Sequence, residues 1–219
     1  MPPEALTHTV GEALWLGKGV DYLEAWEMQK RIAAERAEGK THDTLLLLEH
    51  APVYTAGPRA PREHVIGPLT APLVDTDRGG QITYHGPGQL VGYPIVGLTA
   101  KGLGPKAYVR VLEESLVEAL GQLGVAAHTE DGMTGVWTGK GKIAAIGVRI
   151  TRGVAMHGFA LNVNTDLAAY EPIIPCGIDD RPVASMAAVL GAVPDADVVR
   201  RAVVASLSEH LAIDWTIDT

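Results

Sequence analysis

A chain of 219 residues with neither a proline-rich linker nor a break in composition reads as one domain spanning 1–219. Its 18 basic residues against 26 acidic ones give a net charge of −8, which argues against a nucleic-acid backbone as the main partner, and its single cysteine excludes an intrachain disulfide and a multi-cysteine metal site. That thiol suits a reducing compartment, the start Met1-Pro2-Pro3-Glu4 lacks the basic segment of a secretion signal, and no apolar run approaches membrane-spanning length, so a soluble, cytoplasmic protein is expected.

In chain order, Ala13 to Leu16 reads as a short strand, and Asp21 to Glu38 as a helix with Leu23, Trp26, Ile32 and Ala33 on its inner stripe and Gly39 as its stop. Leu45 to Leu48 is continuously apolar, as in a strand buried on both faces, and Pro52, Pro58 and Pro61 mark a loop after it. Leu73 to Asp75, a glycine-rich block and Leu90 to Val96 read as strands joined by turns. A helix starts near Pro105, with Val109, Leu112, Leu116, Leu120 and Leu123 inward and Gly124 as its end. Strands are expected again at 125–128, 133–138, 142–150 and 154–163, the last two as a hairpin turning at 151–153. Ser185 to Leu190 looks helical, and Asp195 is placed to cap a final helix carrying Val198, Val199, Ala202, Val203 and Leu207. The pattern predicts an α/β protein with a mixed sheet and helices mainly outside it.

Two features carry chemistry. In the block Arg78-Gly79-Gly80-Gln81-Ile82-Thr83-Tyr84-His85-Gly86-Pro87-Gly88-Gln89, glycines permit close backbone approach while Arg, Thr, Tyr, His and Gln are available to line a pocket; a plain glycine-rich hairpin is the alternative. Cys176 lies between Pro175 and Gly177 with Ile173, Ile174 and Ile178 as apolar walls, a setting for a nucleophile as well as for an inert buried thiol. A thiol with an ordinary pKa near 8.5 is about a few per cent thiolate at neutral pH, so activation needs a nearby cation or base. Lys140, Lys142, His85 and His157 are the candidates, and residue types alone do not rank them. Gly139-Lys140 lacks the preceding glycine and the following Ser or Thr of a nucleotide-binding P-loop, and the eight histidines show no metal-ligand spacing, so neither ATP nor zinc is implied.

Four blocks in order, Arg78 to Gln89, Lys142-Ile143-Ala144-Ala145-Ile146-Gly147-Val148-Arg149, Met156-His157-Gly158-Phe159-Ala160-Leu161-Asn162-Val163-Asn164 and Ile174-Pro175-Cys176-Gly177-Ile178, resemble the octanoyltransferases of lipoate biosynthesis. The flanks at 22–29 and 45–55 are similar too. Small departures at Ala51, at Ala56-Gly57-Pro58 and at Tyr170 touch loop detail. The resemblance implies a mixed, largely antiparallel sheet flanked by helices, as in biotin and lipoate protein ligases, and a reaction without ATP activation or any cofactor. It implies a Cys176/Lys142 pair, with Cys176 taking the octanoyl group as a thioester and Lys142 acting as general acid and base. It assigns the acyl pocket to Arg78, Gly79, Gly80, Gln81, Ile82, Thr83, Tyr84 and His85, to Ala145, Ile146 and Gly147, and to Gly158, Phe159 and Ala160. The implied donor is octanoyl-acyl carrier protein. The implied acceptors are lipoyl domains of 2-oxoacid dehydrogenase subunits and the glycine-cleavage H protein. Small residues at 145, 147, 158 and 160 suggest room for a narrow channel, where burying about seven carbons contributes roughly 5–6 kcal/mol before ordering costs. Because carrier proteins are acidic, basic residues are expected at the pocket mouth, with Arg59, Arg62, Arg149 and Arg152 as candidates.

Overall fold

The computed structural model describes residues 8–217. Strand β1 (Thr9–Trp15) leads into α1 (Tyr22–Ala37), whose N-cap Asp21 accepts hydrogen bonds from the backbone N–H groups of Leu23 and Glu24. The helix buries Tyr22, Ala25, Gln29 and Ala33, while Leu23 is 51% exposed. The expected apolar stripe is therefore rotated by about one position. Two alanines let the helix lie close to the sheet, and the polar heads of Tyr22 and Gln29 reach inward, which a hydrophobicity pattern does not reveal.

Strand β2 (Asp43–Leu48) is buried along its whole length, with Leu45 and Leu47 in one core and Leu46 and Leu48 in the core on the opposite face. The stretch read as a proline loop contains β3 (Val53–Ala56), four fully buried residues framed so tightly by Pro52 and Pro58 that no alternation is visible. With β4 (Leu73–Asp75) and β5 (Ile82–His85) it makes a three-stranded sheet in the order β4-β3-β5. The glycine block is thus no hairpin: β5 belongs to this small sheet, and β6 (Gln89–Ile95) crosses to the large one.

Helix α2 (Pro105–Gln122) has its proline in the first turn and buries Tyr108, Leu112, Leu116 and Leu120. Strands β7 (Ala127–Glu130), β8 (Met133–Thr138), β9 (Gly141–Thr151) and β10 (Val154–Asn162) follow as an antiparallel run. Arg152 and Gly153, both at positive φ, form the two-residue turn of the β9–β10 hairpin. Ser185 caps α3 (Met186–Leu190) and Asp195 caps α4 (Ala196–Leu211). A final strand, β11 (Ile213–Ile217), lies outside the sequence expectation because its pairing partner is β1 at the other end of the chain.

The large sheet has the order β11-β1-β2-β6-β10-β9-β8-β7, parallel where β1 meets β11 and β2 and antiparallel elsewhere. Helices α2 and α4 cover one face and α1 the other, giving the mixed, mostly antiparallel α/β architecture expected. No helix among the described residues is long and apolar enough to cross a membrane.

One buried carboxylate ties three of these elements together. Asp43, 2% exposed at the start of β2, accepts from Arg36 Nε of α1 at 2.7 Å and from the Gly97 N–H beyond β6 at 2.9 Å. Removing it strands both donors, and leaving a buried donor unpaired costs about 1–3 kcal/mol. Asp43→Ala is expected to lower the unfolding free energy by an amount in that range, read as a lower urea midpoint at unchanged m-value; a midpoint equal to wild type refutes the tie.

Candidate active site

The glycine block reaches the large sheet through backbone. The Gly79 N–H donates to Val148 O of β9 at 2.9 Å, and a Cβ on Gly147 would stand 2.6 Å from Gly79 O. Only glycine at 147 permits that approach. Gly158 is constrained from a different side, because its Cβ would meet Gly92 O of β6 at 2.2 Å. These two positions are small because neighbouring backbone comes close, rather than only to leave room for a ligand.

A narrow cavity opens beside this seam. Arg78, Gly80, Gln81, Thr83 and His85 form one wall, Ala145, Ile146 and Gly147 of β9 a second, and Gly158, Phe159 and Ala160 of β10 a third. Three further members of the suggested pocket stand off it. Gly79 abuts β9, while Ile82 and Tyr84 alternate to the opposite face of β5 and pack with Tyr54, Tyr170 and Ile173. Tyr22, Tyr93 and His157 complete the lining. The first two were missed by sequence reasoning; Tyr22 carried one signal, its place directly after a helix cap.

Cys176 borders both this cavity and a second, smaller one. It sits half-buried in a single 3-10 turn, Pro175–Gly177, at φ 58° and ψ 14°. A left-handed backbone on a residue with a Cβ costs about 1–2 kcal/mol, and such strain concentrates at functional positions. The surroundings hold it there: Ile173 is buried, Ile174 N donates to His64 O at 2.8 Å, and Gly177 lies against the Gln81 side chain.

Lys142 lines the second cavity with Cys176, Trp137, Tyr170 and Arg181. Its ammonium is 5.2 Å from the centre of the Trp137 ring and donates to Thr134 O at 2.7 Å. The main-chain bonds Lys142 N to Pro182 O and Ala184 N to Lys142 O pin its strand to the loop after Cys176. Lys140, by contrast, is exposed and donates to Ala188 O. Neither Trp137 nor Arg181 was singled out in the sequence, since nothing local connects them to the thiol. Of the four arginines expected at a mouth, Arg62 pairs with Asp75, Arg149 with Asp77 and Arg152 with Glu38, and Arg59 is exposed.

The imidazoles around the first cavity are held neutral. His50 donates from Nδ1 to Val20 O, so its Nε2 accepts from the Tyr93 hydroxyl at 2.7 Å. Burial pushes its pKa down to about 4. His85 donates from Nδ1 to Gln89 Oε1 at 2.7 Å and its Nε2 faces the Thr55 hydroxyl at 3.3 Å. Burial, then the charges of its neighbours, push it well below the usual histidine range. His157, at φ 56° within β10, donates from Nε2 to Asp77, and burial lowers its pKa as well.

Residues 21–208 match the model of the lipoyl protein ligase A/B catalytic domain. The chain belongs to that family. A Mycobacterium tuberculosis protein named octanoyltransferase is 52% identical over 195 residues, covering 88% of this chain and 84% of its own. The octanoyltransferase of Chloroflexus aggregans is 48% identical over 197 residues, with 86% and 89% covered. Among solved structures, the bipartite lipoate protein ligase of Thermoplasma acidophilum, described together with its E2 lipoyl domain, superposes with a TM-score of 0.73 at 20% identity, covering 97% of this chain and 88% of its own. That likeness is one of fold.

The neutral histidines give folding stability a defined pH dependence. Unfolded, His50 takes up a proton near pH 6.5; folded, it does so only near 4, so acid favours the unfolded chain and stability falls as pH drops between these values. For this one group the loss is about 3 kcal/mol across that window. Unfolding free energies measured from pH 7 to pH 4 are expected to fall less steeply in His50→Gln by about that amount. Parallel curves for the two proteins would mean that the imidazole is not held neutral.

Proposed function

We propose that the protein transfers an octanoyl group from octanoyl-acyl carrier protein to a specific lysine of lipoyl domains, including those of 2-oxoacid dehydrogenase subunits and the glycine-cleavage H protein. The chain is an acyltransferase, as its relatives at about half identity over most of its length support. The observation that carries the reading is the position of Cys176: a strained, half-buried thiol at the boundary of a cavity with a largely apolar interior and a second cavity that holds an amine.

In the first half-reaction the Cys176 thiolate attacks the thioester carbonyl, the Lys142 ammonium gives a proton to the carrier's departing sulfur, and octanoyl is held as a Cys176 thioester. In the second, the acceptor amine attacks the carbonyl of the Cys176 thioester, the now neutral Lys142 takes the proton that the amine releases, and the Cys176 sulfur leaves as thiolate as the amide forms, which restores the starting pair. The donor is already activated, so no nucleotide is consumed. The alkyl tail lies in the acyl-side cavity along Ala145, Gly147, Ala160 and Gly158, whose strands pair Ala160 with Ala145 and Gly158 with Gly147. Leaving thiol and arriving amine use the side where Lys142 and Trp137 stand.

Intact-mass analysis after mixing with octanoyl-carrier protein is expected to show one octanoyl adduct, lost on hydroxylamine treatment and missing in Cys176→Ala. Transfer to a lipoyl domain is expected to fall by about two to four orders of magnitude in Lys142→Ala, as for loss of a general acid–base group, and to persist in Lys140→Ala. Transfer that requires ATP with pyrophosphate release would make the chain a ligase instead. Full transfer by Cys176→Ala would rule out the covalent route.

A further inference from the structure

Arg78 is a buried cation in the wall of the acyl-side cavity. It is 8% exposed, and each hydrogen bond it donates goes to a neutral oxygen: the Thr55 hydroxyl and carbonyl, Gly79 O and Gln81 O. Its neighbour Asp77 is engaged by His157 and Arg149. A charge removed from water is costly unless dipoles or an anion compensate it, and here main-chain dipoles hold the guanidinium without a carboxylate on it among the described residues. The acidic groups that line this cavity with it are Tyr22, Tyr93 and Cys176. Burial pushes Tyr22 up to about 12 and Tyr93 well above the ordinary phenol range, so neither ionises near neutrality. Cys176 is the one lining group left that can become the counter-anion.

We propose that Arg78 is a second cation of the reaction centre, which from the acyl side stabilises the Cys176 thiolate before transfer and the oxyanion during it. An arginine does not give up its proton, so it performs no acid–base step, and proton movement stays with Lys142 on the other side of the sulfur. Its mooring to Thr55, Gly79 and Gln81 fixes the charge in place before any substrate arrives, the arrangement in which electrostatic stabilisation is most effective. Other groups around the sulfur are Lys142 of β9 and Arg181 in the second cavity, Tyr170 beside them, His85 of β5 and His157 of β10 in the first cavity, and the exposed Asp179 and Asp180 beyond the turn. The proposal rests on the reading of Cys176 as the acyl carrier, but its test needs no acyl donor.

The rate of Cys176 alkylation by iodoacetamide is followed against pH in wild type, Arg78→Gln and Arg78→Met, with folding checked by circular dichroism. The midpoint is expected to rise by about one unit or more in both variants, a tenfold loss of thiolate at a given pH. A wild-type midpoint in either folded variant overturns the proposal. A second measurement does not require a change at Arg78: in Cys176→Ala, Lys142→Met, octanoate is expected to bind about tenfold more tightly than octanamide at neutral pH, the value of one charge-assisted contact. Equal binding overturns the proposal. Failure of either measurement leaves the covalent route intact, whereas absence of an octanoyl adduct on Cys176 would remove that route without altering the alkylation profile.

Discussion

The contact between Gly79 and Gly147 is the constraint on which the site depends. It joins the loop that leads into β5 of the small sheet to β9 of the large one through main chain, with Gly79 N bonded to Val148 O. Because the small sheet is held at that distance, Thr83 and His85 face β9 and β10 across a narrow cavity, while Ile82 and Tyr84 face the small sheet's own core. Arg78 is carried into the same gap. A side chain at 147 would push the block outward and detach the guanidinium from the space that Cys176 borders.

The polar residues in this region form a connected set. Arg78 donates to the Thr55 hydroxyl, Thr55 meets His85, His85 donates to Gln89, and Gln89 donates on to Asn162 and Tyr170. Asn162 and Tyr170 line the second cavity. Each member fixes the tautomer or rotamer of the next, so the two cavities on either side of Cys176 are linked by hydrogen bonds as well as by the shared sulfur. An interior that keeps its histidines neutral and its phenols protonated also leaves the field there to a few fixed charges, which is why one arginine has so much influence.

Much of the fold was legible in the sequence because its signals are local. Asp21, Ser185 and Asp195 announced their helices as caps, and the β9–β10 hairpin followed from its short gap. Leu45 to Leu48 announced a strand covered on both sides. The phase of α1 was not legible, since it is set by Ala25 and Ala33 lying on the sheet and by Gln29 Oε1 accepting from His157 N. Strand β3 was hidden by its prolines. Cys176 and the glycine block stood out by residue type, whereas the choice of Lys142 over Lys140, His85 and His157 came only through resemblance. Tyr22, Tyr93, Trp137 and Arg181 could not, because they reach the site from separate elements that only the folded sheet brings together.

Strand β1 lies between β2, its early neighbour in sequence, and β11, with Thr216 Oγ1 donating to Gly11 O across 205 positions. A chain emerging from the ribosome therefore makes the strands of the middle of this sheet well before β11 exists, and one flank of β1 stays open until β11 has been made. Such late, long-range closure slows folding and leaves an unpaired edge available to other nascent chains in the meantime.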